Sequence, residues 1–365
     1  MKVVFRADAS RQIGTGHVVR CLSLADELRA RGLKPHFVCR THPGDMMMSI
    51  RQRGYDVMVL PAQPAHLQPT VEADNSQLAH ANWLGSTWEE DADQTRCAIQ
   101  AIKPELLVID HYAIDIRWEK VLQPHAGRMM AIDDLADRKH ECDFLLDQNW
   151  FGDDTFHRYR GMIPDRCVAM LGPGYALLKP EYASLRAQMP PRNGKVERIL
   201  VFMGGSDPTN ETGKVLDALT HPELAHLYVD VVIGVNHPDP QGISRQAAAR
   251  PATHVHSGLP SLAEWMVRAD LMISAGGSTS WERMCLGLPA IVIGVAANQM
   301  VTNTAMHTAG YINFLGESSR ISAEIIADAV AQCLQETEKL KQMSRMGQDL
   351  VPGTGTKRVC DLLLS

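Results

Sequence analysis

The chain alternates short β-branched runs with longer stretches in which apolar residues return at helical spacing. Val3-Val4-Phe5 leads into a polar, glycine-bearing stretch, after which Val18, Leu22, Ala25 and Leu28 recur three or four positions apart. This pattern predicts a strand, a loop and a helix beginning near His17. His36 to Cys39, Asp56 to Leu60, Leu106 to Asp110, Arg128 to Ile132 and Phe144 to Leu146 predict further strands. The near-continuous apolar run at 106–109 is that of a parallel strand buried on both faces. A polar segment from Pro61 to about Asp93 interrupts the alternation, and a loop of that length is usually functional or mobile. Its His66, His80, Asn82 and Trp83 are suited either to lining a cleft or to a solvated excursion.

Pro-, Gly- and Asn-rich composition between Tyr175 and Lys195 predicts a linker, with a domain boundary near residue 190. Beyond it the same grammar restarts. Arg198 to Met203, Val229 to Ile233, Thr253 to Val255, Leu271 to Ser274 and Ala290 to Ile293 predict strands; Thr209 to Leu219, Leu259 to Arg268 and the region from Ile325 to Cys333 predict helices. A chain of 365 residues is too long for one ordinary core. The expectation is an α/β protein of two facing, doubly wound Rossmann-like domains with a cleft between them, 1–190 and 191–350. A final helix in 351–365 is free to pack back on the N-terminal domain.

Composition narrows the function classes. Hydrophobic residues make up 45% and charged residues 21%, as in ordinary globular proteins. A net charge of -6 argues against a nucleic-acid binder, which needs a basic face. No apolar run reaches the roughly 20 residues of a membrane span, and Lys2, Arg6 and Asp8 fall where a signal peptide needs its apolar core. A cytoplasmic protein without stable membrane association is expected, with its oligomeric state left open. The eight cysteines form no Cys-x-x-Cys pair and predict buried free thiols. His140-Glu141-Cys142 lacks a second ligand pair and reads as loop, so neither metal nor cofactor is expected.

The chemistry concentrates at predicted strand ends. In an α/β sheet the carboxyl end of a strand faces the ligand crevice, and glycines there admit close backbone approach. Gly14-Thr15-Gly16-His17 follows the first strand and sets His17 at a helix amino end, where the dipole favours neutral imidazole. His17 is the candidate general base, and whether Asp8, Asp110 or neither orients it stays open. Asp110 and Tyr112 end one strand, while Asp133-Asp134 and Asp147-Gln148-Asn149 end others, suggesting a polar wall. In the second half a strand runs into Ser274-Ala275-Gly276-Gly277-Ser278, and a helix opens at Ser278 or Thr279. Free amides, small side chains and the dipole make an anion site there. Gly204-Gly205-Ser206 supplies a second backbone-rich surface, and together the two suit a diphosphate. Glu282 is placed to accept both hydroxyls of a ribose, or simply to favour the helix dipole. No phosphate-loop lysine pattern is present, which disfavours phosphoryl transfer from ATP.

These motifs, with Ile109-Asp110-His111-Tyr112, Tyr175-Ala176-Leu177, Gly204-Gly205-Ser206-Asp207 and Asn298-Gln299, span nearly the whole chain. The pattern resembles the GT-B class of nucleotide-sugar enzymes. More closely, it is similar to the UDP-2,4-diacetamido-2,4,6-trideoxy-β-L-altropyranose hydrolase family of pseudaminic acid biosynthesis. The resemblance implies removal of UDP by water, with inversion at the anomeric carbon and no metal. It implies His17 as the base, Tyr112 as a substrate contact, and Asn149, Gly276, Gly277, Ser278, Glu282 and Asn298 as ligands of the sugar or UDP. Asp8, Gly14, Gly16, Gly204, Gly205, Ser206 and Gln299 complete the candidate substrate-binding set. The chain departs from the family in its long 61–93 segment and lacks the acetyltransferase extension of some relatives. A GT-B glycosyltransferase and a non-catalytic nucleotide-sugar binder are the competing readings.

Overall fold

A computed structural model describes residues 1–62 and 78–365, with Asn298 described by its backbone alone. His66 lies outside the described residues. The chain divides into two compact units: residues 1–149, 153–177 and 356–365 form the first, and residues 150–152 and 178–355 the second.

The first unit is built on β1 (Lys2–Ala7), β2 (Lys34–Arg40), β3 (Asp56–Leu60), β4 (Leu106–Asp110), β5 (Arg128–Ile132), β6 (Phe144–Asp147) and β7 (Val168–Leu171). They pair in the order β3-β2-β1-β4-β5-β6-β7, every pairing parallel. The strand order reverses between β1 and β4, the position where open α/β sheets bind ligands. Alternation along β1 sends Val3 and Phe5 into one apolar layer and Val4 into the other. The first layer is covered by α1 (Gly16–Ala30) and α2 (Met47–Gln52), and the second by α3 (Trp88–Ile99) and α4 (Ile116–Leu122).

The second unit opens with α5 (Pro180–Gln188), inside the stretch whose composition predicts a linker. Pro180 sits at the first helical turn, where its missing N–H costs nothing, and Tyr182 is buried. The division between units therefore falls at Leu177/Leu178, ahead of the expected boundary near 190. Its sheet comprises β8 (Arg198–Phe202), β9 (Tyr228–Ile233), β10 (Thr253–Ser257), β11 (Leu271–Ala275), β12 (Ala290–Gly294) and β13 (Asn313–Glu317), ordered β10-β9-β8-β11-β12-β13 and again parallel. Around it run α6 (Glu211–Ala218), α7 (Pro240–Ala248), α8 (Ala263–Arg268), α9 (Thr279–Cys285), α10 (Ala297–Thr308), α11 (Ala323–Gln335) and α12 (Thr337–Leu350). The chain then returns to the first unit as α13 (Gly355–Leu364). Val359, Cys360 and Leu363 enter that unit's core, and Asp361 pairs with Arg31 at 2.6 Å. No helix among the described residues is long and apolar enough to cross a membrane.

Beneath the carboxyl end of β1 lies a buried ion cluster. Arg6 donates to Asp91 (Nη2 to Oδ2, 2.7 Å) and pairs with Asp8 at 2.7 Å. Arg40 donates to Asp91 at 2.8 Å, and the Trp118 indole adds a bond of 3.0 Å to the same carboxylate. Two arginines thus meet two aspartates, and Asp91 joins β1, β2, α3 and α4. Removing one partner from a buried cluster leaves charge uncompensated, which costs about 3–5 kcal/mol. Asp91→Asn is expected to lose stability on that scale in urea unfolding followed by circular dichroism, whereas Asp93→Asn, on the exposed face of the same helix, is expected to change it little.

Candidate active site

The loop after β1 is held by its own side chain. Ser10 Oγ accepts from the backbone N–H groups of Gln12 (3.1 Å) and Ile13 (2.9 Å), and Gly14, at φ +80°, turns the chain towards α1. Gly16 is the first residue of α1 and His17 the second. Because Ala7 of β1 registers with Asp110 of β4, the start of α1 stands over the end of β4.

There His17 Nδ1 lies 2.6 Å from Asp110 Oδ1. Arg20, one turn along α1, grips the same carboxylate with Nε and Nη2, both at 2.6 Å, and reaches Asp134 with Nη1 at 3.0 Å. The Tyr112 hydroxyl donates to the other oxygen of Asp134, and its ring meets His17 edge-on at 4.5 Å. Burial opposes a charge on Asp110, but Arg20 and then His17 hold it ionised, well below the usual carboxylate range. Burial and then Asp134 push the Tyr112 hydroxyl well above its ordinary value, so it stays a donor. A carboxylate at Nδ1 places the neutral ring's proton there and leaves a lone pair on Nε2. Among the described residues Nε2 has no hydrogen-bond partner, which is the arrangement a general base requires.

Of the two candidates for orienting His17, Asp110 does so. Asp8 accepts the Arg40 backbone N–H at 2.7 Å and the Arg6 guanidinium, and is 1% exposed. Expected among the substrate ligands, Asp8 instead has its carboxylate in the ion cluster under the loop. Asn149 follows β6, half-buried, with its N–H donating to Asp147 at 2.9 Å. Burial and then Asp134 push Asp147 up to about 8, against the pull of Arg158 at 2.5 Å.

In the second unit Phe202 of β8 registers with Ser274 of β11, so their glycine turns emerge side by side at the strand-order reversal. Gly204 has φ +95°, and Gly205 O accepts from Asn236 N–H at 3.0 Å. Ser278 is the N-cap of α9 and makes no side-chain cap bond. Asn298 and Gln299 open α10. A Cβ on Gly276 would fall 1.9 Å from Asn303 Nδ2, so only glycine permits this approach. Gln299 Oε1 and Asn303 Nδ2 are buried without a partner among the described residues, an acceptor and a donor beside the turn. Asn303 escapes sequence reasoning because nothing but its position one turn past Gln299 distinguishes it. Arg20 and Asp134 were legible only as neighbours of better signals. Glu282 is partly buried and hydrogen-bonded by Tyr182, and burial pushes it up to about 7.

Two parallel-sheet Rossmann-like units of this kind define the GT-B fold. Structures sharing it over nearly the whole chain include MurG of Acinetobacter baumannii (14% identity, covering 99% of this chain and 98% of that one, TM-score 0.67). UGT2 of Phytolacca americana, complexed with UDP-2-fluoro-glucose and pterostilbene, shares 12% identity over 99% of this chain and 98% of its own, with a TM-score of 0.69. More particularly, residues 199–352 match the glycosyltransferase family 28 C-terminal domain. The UDP-2,4-diacetamido-2,4,6-trideoxy-β-L-altropyranose hydrolase of Campylobacter jejuni is 24% identical over 85% of this chain and 98% of its own. The spore coat polysaccharide biosynthesis protein SpsG of Bacillus subtilis is 23% identical over 100% and 98%. An uncharacterised protein of Methanocaldococcus jannaschii is 24% identical over 80% of this chain, which spans 55% of that relative's length.

The dyad makes a spectroscopic prediction. In ¹⁵N NMR of the neutral imidazole, His17 is expected to carry its proton on Nδ1, and Asp110→Asn to shift the population towards the Nε2–H form.

Proposed function

We propose that this protein hydrolyses a UDP-linked sugar, UDP-2,4-diacetamido-2,4,6-trideoxy-β-L-altropyranose, releasing UDP and the free sugar as a step of pseudaminic-type surface polysaccharide biosynthesis. The observation that carries this reading is His17, held by Asp110 at Nδ1, with no hydrogen-bond partner for Nε2 among the described residues. Water attacks the anomeric carbon from the face opposite UDP, its proton passes to Nε2, and the bond from that carbon to the diphosphate oxygen breaks with inversion. Asp110 stabilises the imidazolium that forms. UDP departs as a stabilised anion, so hydrogen-bond donors that hold the diphosphate replace the protonating acid an alcohol leaving group needs. Gly204, Gly205, Ser206, Gly276, Gly277 and Ser278 are assigned to that role. Glu282 is assigned to the ribose, and Asn298 with Gln299 to the sugar or diphosphate. The Campylobacter jejuni relative supports hydrolysis.

The glycosyltransferase family 28 match favours a second reading, in which the same base deprotonates an acceptor hydroxyl. Incubation of the purified protein with the UDP-sugar in ¹⁸O-water, without acceptor, separates the two. Hydrolysis puts the label in the free sugar and none in UDP, whereas a transferase releases UDP only when an acceptor is added. His17→Asn is expected to lower turnover by about 10²–10⁴-fold while UDP binding persists in calorimetry.

Glu282 gives a pH prediction. With its carboxyl pushed up to about 7, it is increasingly protonated below that pH and accepts both ribose hydroxyls above it. UDP affinity is expected to rise between about pH 6 and pH 8. The phosphate titrates in the same range, so Glu282→Gln, which leaves only the phosphate contribution, is expected to flatten the rise.

A further inference from the structure

Part of the long polar segment enters the neighbourhood of the base. Residues Ala81–Leu84 form a single 3₁₀ turn that places His80 and Trp83 against Tyr112. The Trp83 indole stacks on the Tyr112 ring at 5.6 Å with 25° between planes. The His80 imidazole lies 4.4 Å from Trp83 and 5.4 Å from Tyr112, closing a triangle of rings. Tyr112 is also the ring that meets His17, so the triangle begins one ring away from the base.

Several features show that this turn is fixed in place. Leu84 is buried in the apolar layer with Ala92 and Trp118. The turn ends at Gly85, in the left-handed region at φ +70°, where a Cβ would come within 2.7 Å of the His42 ring. Tyr112 is pinned through its hydroxyl to Asp134. Yet Trp83 and His80 themselves remain partly exposed. A rigid aromatic surface left open beside a base suits substrate positioning, not core filling.

Resting on the UDP-sugar reading above, we infer that Trp83 and His80 form a stacking platform for the apolar C–H face of the pyranose, presenting its anomeric carbon to His17. The charged and titratable groups around His80 include Asp137, Arg138, His17, Asp134 and Tyr112; burial, helped by Arg138 and His17, outweighs the two aspartates and lowers its pKa, which keeps the imidazole neutral. A neutral platform takes an apolar sugar face, where a cationic one would take the diphosphate. Trp83 and His80 are thus positioning residues for the sugar, with no part in holding the nucleotide.

Calorimetry on wild type, Trp83→Ala, Trp83→Phe and His80→Ala, with UDP, UDP-glucose, UDP-N-acetylglucosamine and the diacetamido sugar as probes, tests the platform. Wild type is expected to bind at least one UDP-sugar more tightly than UDP. Trp83→Ala is expected to weaken that UDP-sugar about tenfold and leave UDP unchanged, with Trp83→Phe retaining most of the preference and His80→Ala part of it. The thermal unfolding midpoint of each variant checks that the first unit still folds; should Trp83→Ala unfold, His80→Ala carries the test. Trp83→Ala that folds and keeps the full UDP-sugar preference, or His80→Ala doing so where Trp83→Ala unfolds, overturns the platform and leaves the hydrolase reading standing. Wild type that binds UDP but no UDP-sugar more tightly also overturns the platform alone. Wild type that binds neither overturns both.

Discussion

Asp110 is the buried charge on which the arrangement at the mouth of the first unit's sheet depends. It ends β4, the strand beside β1 where the sheet order reverses, and α1 delivers three side chains to it, His17, Arg20 and Cys21. Arg20 occupies both oxygens, so the carboxylate is fixed in rotation as well as in charge. That rigidity passes to the imidazole, whose Nε2 is then aimed by the sheet itself. Arg20 also spans to Asp134, which holds Tyr112, so one guanidinium sets His17 and the ring beside it together. Such a chain of charge-assisted bonds is stronger and more directional than neutral contacts.

The parallel α/β architecture was legible because its signals are local. β-branched runs ending in glycine or aspartate mark strands whose carboxyl ends carry the chemistry, and β3, β4 and β5 coincide with the runs read from sequence. The weaker elements are those whose stability comes from elsewhere in the fold. The proline-flanked α5 reads as linker until Tyr182 is seen to be buried, β7 is an edge strand of only four residues, and β13 carries just two large apolar residues, Phe314 and Leu315.

At the site the same division holds. The glycine turns were readable because a left-handed backbone at Gly14 and Gly204 and a close approach at Gly276 favour that residue type. Asp8 and Asp110 were not separable, since each follows or ends a strand of the same sheet; only the register shows one facing the ion cluster and the other the helix. Asn303 gave no periodic or motif signal, and Trp83 only the choice between lining a cleft and a solvated excursion. The first is recognised by the Cβ it forbids at Gly276, and the second by the rings it touches.

The return of α13 to the first unit has a consequence for the order of folding during synthesis. Val359, Cys360 and Leu363 complete a core whose other members lie before residue 178, so a ribosome must finish the whole second unit before the first can close. Until then one apolar layer of the first sheet lacks a side of its cover. The second unit carries all of its own sheet and can fold earlier, although it emerges later. The N-terminal unit, which holds His17, is in this sense the last to mature, and the nascent chain must be kept from aggregating through that open layer.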